Sequence, residues 1–413
     1  MKFDGEYEVY HTKDSGFSLK YSESAIKIKE FSESSGYGIR VLSDKKIGFS
    51  FGDKEEEIKN YIAQAQKATP FAVKSDFSFQ KKSKYPSLLM VDKKIKDMTI
   101  EELKEALLEV KQGAQTYTDN IRIYMNNGSQ YTKIENTNDL LLAYEKTNMG
   151  IYVEATKGEG FGYASYSGCF LPKSFEEFGK EAGTMAQQME HPKKIKTGKY
   201  TVLFEIEALN DLCDVFLPSF LGDWKRRKIS FLTEKQGEQL FDEKFSVYDD
   251  ATTSGVNMQP ADDEGTKSKR IPLVEKGVVK QFIYDRATAA LDTTNEEGGC
   301  TRSDFSAFPT IGHSNIVISG GTDADVIEEL NGYILVKSLH GTHTANTTTG
   351  DFGVEVNIAW HVKKDEKIPV RGFILSGNIF NLFKRIRGVE KEVKVYGNFI
   401  APRIACDDVQ VVG

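Results

Sequence analysis

The sequence predicts an α+β protein of two domains: an N-terminal domain of strands and amphipathic helices over residues 1–194, and a mostly antiparallel β domain over 195–413. Three observations carry this. Period-two apolar alternation is interleaved with 3.6-residue apolar stripes as far as about residue 190. A proline- and glycine-containing polar stretch, His191-Pro192-Lys193-Lys194-Ile195-Lys196-Thr197-Gly198, then reads as a linker. Beyond it, one helix leads into strand-rich chain punctuated by Gly, Thr and Asp turns.

In chain order, residues 24–30, 38–42 and 47–51 read as strands, with Ser43-Asp44-Lys45-Lys46 as a hairpin turn. A helix over 54–68 places Ile58, Tyr61, Ile62 and Ala65 on one face. A second helix opens at Thr99, where Glu102 completes a capping box, and its stripe is Leu103, Ala106, Leu107 and Val110. Four strands follow, over 121–124, 130–136, 140–146 and 150–156. Ser174 with Glu177 predicts another capping box, opening a helix that buries Phe175, Phe178, Ala182 and Met185. After the linker come a helix over 207–220 and a short one near 325–330. Gly38-Ile39-Arg40-Val41 with Gly48-Phe49-Ser50-Phe51 is echoed by Gly150-Ile151-Tyr152-Val153 with Gly162-Tyr163-Ala164-Ser165. Two similar units, or ordinary hairpin chemistry used twice, would both give that pattern.

Composition narrows the function classes. The 413 residues are 39% hydrophobic and 28% charged, ordinary for a globular protein. A net charge of −7 without a long basic run argues against non-specific nucleic-acid binding. No signal-peptide h-region is visible, and no run approaches the roughly 18 apolar residues of a membrane span. The four cysteines, Cys169, Cys213, Cys300 and Cys406, lie far apart and fit neither a disulfide framework nor a zinc knuckle. A cytoplasmic protein without membrane contact is expected.

The most telling stretch runs from His340-Gly341-Thr342-His343 through Asn346 to Gly350-Asp351-Phe352, followed by Trp360, an Ile368-Pro369-Val370 turn and Ser376-Gly377-Asn378. It resembles the C-terminal signature of the TldD/PmbA (TldE) family, the "modulator of gyrase" peptidases. Gly38-Ile39-Arg40-Val41 through Gly48-Phe49-Ser50 is similar to that family's G-x-R-V…G-F-A-S hairpin. Asp262-Asp263-Glu264-Gly265 with Ile271–Val278 is similar to its D-D-E-G…I-x-x-G-x-L segment, and Ala401-Pro402-Arg403-Ile404 adds a further match. One departure is that members usually begin with a helix, whereas this chain starts in β-like sequence.

The resemblance implies a two-subunit zinc peptidase. Its catalytic subunit carries His-Glu-x-x-x-His on a helix, with a cysteine nearer the C-terminus. Histidines four apart share one helix face and can bind one zinc, and the glutamate can act as general base. Here the corresponding helix reads Glu205-Ile206-Glu207-Ala208-Leu209-Asn210-Asp211-Leu212-Cys213-Asp214, without histidine, and 394–398 contains no cysteine. The resemblance is therefore to the PmbA/TldE subunit. It implies no cofactor in this chain, zinc in a TldD-like partner, and substrates such as precursor peptides or unfolded antitoxins.

Other constellations have plainer readings. His340 and His343 in an extended loop would point to opposite faces, and His361 lies on a strand, so all three read as polar loop or strand residues rather than ligands. Glu205 and Glu207 suit a helix N-terminus. Cys213 sits on an apolar face and reads as an inert thiol. Gly158-Glu159-Gly160-Phe161-Gly162 is followed by strand, not helix, and is not a dinucleotide loop. Lys225-Arg226-Arg227-Lys228 reads as a solvated helix end. His343, Asn346, Asp351 and Asn378 are the candidate cavity-lining or peptide-binding residues, although turn chemistry alone would explain Gly350 and Asp351.

Two function classes follow. One is the metal-free subunit of a zinc peptidase acting on unstructured polypeptide. The other is a homodimeric binding or scaffold protein without proteolysis. A stand-alone peptidase would require a site that the sequence does not show.

Overall fold

A computed structural model describes residues 5–22, 25–72, 74, 76–321, 330, 332–364 and 366–413, with only the backbone of 28–30. The helix expected near 325–330 lies outside the described residues except for Leu330.

The N-terminal part is a six-stranded antiparallel sheet. Its strands are β1 (Glu6–Ser22), β2 (Ala25–Ser43), β3 (Lys46–Gly52), β4 (Ile121–Asn136), β5 (Leu141–Lys157) and β6 (Gly160–Gly168), in the order β3-β2-β1-β4-β5-β6. Helices α1 (Ile58–Ala68), α2 (Lys93–Lys96), α3 (Ile100–Gln115) and α4 (Glu176–Gln188) accompany it. Each half of the sheet is three strands followed by a helix, and the halves join along the β1–β4 seam, where Gly16 faces Gly128.

Several strands are longer than the sequence suggests. Residues 121–124 and 130–136 belong to one strand, as do 141–146 and 150–156, and the β-like start of the chain, given no bounds from the sequence, is the long strand β1. Their middles are polar and glycine-rich and so read as turns. In the sheet those stretches pair with one another, Asp14 with Gln130 and Gln130 with Lys146. Glycine is required at the seam because a Cβ on Gly16 would lie 2.2 Å from the Asn127 carbonyl oxygen.

Helices cover one face of this sheet. Leu103, Ala106, Leu107 and Val110 of α3 pack on Ile121, Ile123, Met125, Ile151 and Val153. The Thr99–Glu102 capping box forms as expected. The second one does not: α4 starts at Glu176 with Phe175 at its N-cap and no side-chain cap. Gly113 and Gly179 let α3 and α4 touch backbone to backbone, since a Cβ on Gly179 would lie 1.9 Å from the Val110 carbonyl.

The C-terminal part is built on a mixed eleven-stranded sheet. Strand β7 (Gly198–Phe204) runs into α5 (Ile206–Phe216), and a 3-10 turn through Pro218 leads to α6 (Gly222–Arg226). Then come β8 (Val247–Asp250), β9 (Arg270–Glu275), β10 (Val278–Val279), α7 (Arg286–Asp292), β11 (Cys300–Thr301), β12 (Thr310–Ile311) and β13 (Ile316–Ile318). The last stretch holds β14 (Tyr333–His340), β15 (Asp351–Lys363), β16 (Glu366–Val370), β17 (Ile374–Asn378), α8 (Ile379–Leu382), β18 (Ile386–Tyr396) and β19 (Phe399–Val412). Ile368-Pro369-Val370, read as a turn, is strand β16.

Strands β7, β14, β15, β17 and β19 pair in a closed ring, because β19 bonds β7 as well as β17. Most pairings are antiparallel; β7–β14 and β13–β19 are parallel. One face of the ring carries Val202, Phe204, Ile334, Val336 and Ile404, which pack with Leu209, Leu212, Cys213 and Phe216 of α5. The other face carries Leu203, Leu335, Ile358, Trp360 and Ala405, which pack against Tyr163 of β6 and Met185 and Met189 of α4.

Candidate functional site

Two charged assemblies lie between the N-terminal sheet and the C-terminal part. The first is sealed. Glu8 of β1 accepts from Arg40 Nε and Nη2 at 3.0 and 2.9 Å, and Arg40 Nη1 donates to Glu264 at 2.5 Å. Arg302 Nη2 donates to Glu8 at 2.6 Å, its backbone N–H donates to Asp263 at 2.7 Å, and Tyr10 donates to Asp263 at 3.2 Å. Glu8, Arg40 and Glu264 are all essentially inaccessible to solvent. Burial alone would raise the Glu264 carboxyl, but Arg40 overrides it and holds it below the ordinary range. The two sequence segments carrying Arg40 and Glu264 thus meet in one ion-pair network, a structural tie between domains.

The second assembly lies at the start of α5 and borders an open cleft of about 570 Å³ between α4 and the ring of strands. Glu205, the N-cap of α5 just after β7, takes Arg403 at 3.3 Å and Lys394 at 3.7 Å. Arg403 is also held by Glu390 at 2.6 Å. In the first turn of the helix, Glu207 accepts from Lys337 of β14 at 2.5 Å, and Lys337 reaches Glu181 of α4 at 3.3 Å. Burial disfavours the Lys337 ammonium, yet Glu207 and Glu181 outweigh it and raise its pKa. Asp211, four residues after Glu207, accepts the Leu339 N–H at 3.2 Å, and burial pushes its carboxyl up to about 6.

Glu207 and Asp211 have the i, i+4 spacing of a helical ligand pair. They do not fit a zinc site. One carboxylate is spent on an ammonium and the other on a backbone N–H, the helix has no imidazole, and its thiol, Cys213, is buried and held protonated by that burial. No step through a metal follows from these residues.

The other candidates take these places. Cys213 is buried and its thiol is pushed well up by burial, so it is no nucleophile. His340 and His343 are exposed at the end of β14 and in the short 3-10 turn Thr342–Thr344. His361 stands on β15 with its ring edge-on to Tyr200. Asn346 accepts from the N–H groups of Thr348 and Thr349, which shapes a turn closed at Gly350 with φ +79°. Asn378 donates to Asp351 at 2.8 Å and caps α8. Of His343, Asn346, Asp351 and Asn378, the last borders a cavity of about 220 Å³ near Asp407 and Gln410. Gly158 makes the turn into β6, and Lys225–Lys228 lie at the end of α6. Lys337 escaped sequence reading because 130 residues separate it from Glu207.

The comparisons agree along the whole chain. PmbA/TldA metallopeptidase domain 1 matches residues 7–69, the central domain 93–190 and the C-terminal domain 197–413. An uncharacterized protein of Methanocaldococcus jannaschii is 27% identical, covering 97% of this chain and 94% of its own length. A protein named metalloprotease PmbA homolog from Haemophilus influenzae is 20% identical, covering 98% and 92%. The fold is similar to that of TldE from Thermococcus kodakarensis, with a TM-score of 0.91 at 23% identity over 100% of this chain and 97% of that one. A proposed modulator of a DNA gyrase from Thermotoga maritima follows at 0.89 and 22%, covering 98% and 96%. The three matched segments and the shared fold together show that this chain belongs to the TldD/PmbA family of metallopeptidases.

Proposed function

We propose that this chain is the metal-free subunit of a TldD/TldE-type zinc-dependent peptidase acting on unstructured polypeptides in the cytoplasm. In this reading the zinc, the general base and the nucleophilic water come from a TldD-like paralogue paired with it. The chain itself completes the chamber and holds extended polypeptide. The cleft between α4 and the strand ring is the proposed polypeptide path, and the turn carrying His343, Asn346, Asp351 and Asn378 is proposed as a wall of the chamber rather than a source of chemistry.

One observation carries the proposal. At the helix where the family's catalytic subunit places His-Glu-x-x-x-His, this chain has Glu207 bound to the Lys337 ammonium. A fixed side-chain cation pairs with Glu207 Oε1 and supports a helix held without a metal, although Oε2 accepts no hydrogen bond. The relatives named as metalloproteases point to proteolysis as the shared activity of the family.

The test is cleavage of an unfolded polypeptide by this chain alone, by a His-Glu-x-x-x-His paralogue alone, and by the two mixed. The proposal expects activity in the mixture well above either alone. Full activity of this chain by itself would overturn it. A paralogue unaffected by this chain would favour a homodimeric scaffold instead.

A further inference from the structure

Another cavity, of about 240 Å³, lies beside the Arg40 network, between the N-terminal sheet and the C-terminal part. One wall is the polar middle of the sheet, where Gln130 of β4 pairs with Lys146 of β5. The opposite wall holds Gln259 and Asp263, which precede β9, and His313, which precedes β13.

Two opposite charges face this space without meeting. Asp263 accepts from the Tyr10 hydroxyl at 3.2 Å and the Arg302 N–H at 2.7 Å, but among the described residues no side-chain cation contacts its carboxylate. The Arg302 guanidinium is committed to Glu8 and to the Asp263 backbone carbonyl. Burial raises the Asp263 carboxyl, and the charges of Arg302 and Lys146 only partly offset this. Lys146 is near enough to favour the ionised forms of Asp14 and Asp263, yet among the described residues it forms no ion pair or hydrogen bond. Asp14 is taken by the Gln130 amide at 2.8 Å.

Neutral capacity is left over as well. The His313 ring bonds nothing among the described residues, and burial lowers its pKa, so it is a neutral imidazole with one donor and one acceptor. The Gln259 side chain also lacks a partner. These atoms are not sealed. The unpartnered polar atoms cut off from solvent are others, such as Asp262 Oδ2 and Arg302 Nη1. Lys146, Gln259 and His313 therefore present their polar atoms to the cavity.

We infer that this cavity binds a free α-amino acid, whose ammonium meets Asp263 and whose carboxylate meets Lys146. A simple anion would be repelled by Asp263 and a simple cation by Lys146, whereas a zwitterion makes a charge-assisted hydrogen bond to each. The space is smaller than the roughly 300–1,000 Å³ of pockets for drug-sized ligands, which suits so small a molecule. Gln259 and His313 remain to pair with a polar, uncharged side chain. The inference stands apart from the polypeptide path proposed in the α4 cleft and does not depend on it.

The test is calorimetric titration of the full chain with L-alanine, L-asparagine and L-glutamine, and with the N-acetylated and C-amidated form of each. At least one free amino acid is expected to bind. Blocking either of its termini should weaken binding about tenfold or more, the scale of one charged hydrogen bond. Lys146→Met should abolish binding, with circular dichroism confirming that the variant is folded. Gln259→Leu should weaken asparagine and glutamine while leaving alanine unchanged. If none of the three free amino acids binds, the inference falls. It falls equally if a blocked form binds as tightly as its parent, or if folded Lys146→Met binds as the unsubstituted chain does.

Discussion

The two charged assemblies between the domains use similar residues to opposite ends. Around Arg40, the ions are inaccessible and pair within 3 Å, although Arg302 Nη1 has no hydrogen-bond partner. Around α5, the same kinds of side chain pair beside an opening of about 570 Å³. The inaccessible network ties the two parts of the chain together, whereas the one beside the cleft leaves room for a ligand. Burying ions is costly, and removing one partner of a buried pair exposes that cost.

The largest expected effect is therefore at the sealed network. Arg40→Met strands Glu8 and Glu264 and should destabilise the protein by about 3–5 kcal/mol in urea unfolding. A variant that unfolds as the parent does would show that the network is not the tie between the domains. Lys337→Met is next, at about 1–3 kcal/mol, because it leaves Glu207 unpaired. Combining it with Glu207→Gln should recover much of that loss, and a double-mutant cycle measures the coupling. Additive losses would mean that the 2.5 Å pair contributes nothing of its own.

Asp211 has a smaller, pH-dependent effect. Its folded pKa is raised from 3.8 to about 6, so its contribution is present below the unfolded value and lost as pH rises through about 6. Asp211→Asn should therefore gain stability relative to the parent, on the order of 2 kcal/mol, as pH goes from 4 to 7. Parallel stability–pH curves for the two proteins would remove that assignment. Smallest of all, Lys367→Gln should shift stability by less than about 0.5 kcal/mol, since the residue lies on an exposed strand. A larger loss would make Lys367 a structural element and weaken its contrast with Arg40.

Much of this was legible in the residues. The capping box at Thr99, the stripe of α3, the β-rich C-terminal half and the family resemblance all follow from local pattern. Local pattern also misled: Asn126-Asn127-Gly128-Ser129 looks like a turn, and only the β1 and β5 ladders on either side make it strand. Arg40 and Glu264 were both in recognised segments, but nothing local says they touch across 224 residues. The missing histidines at α5 were plain in the sequence. What replaces them electrostatically, Lys337 from β14, depends on strand order and could not be read there. Trp360 drew notice as a lone tryptophan, while its unpartnered N–H is visible only in three dimensions.

The proposed function turns on side-chain cations standing at α5 in place of a metal. Elemental analysis of the untagged protein, purified without chelator, tests it most directly. Less than about a tenth of a zinc per chain is expected, far below the occupancy of a structural or catalytic site. Near-stoichiometric zinc that is lost on Glu207→Gln or Asp211→Asn would contradict it.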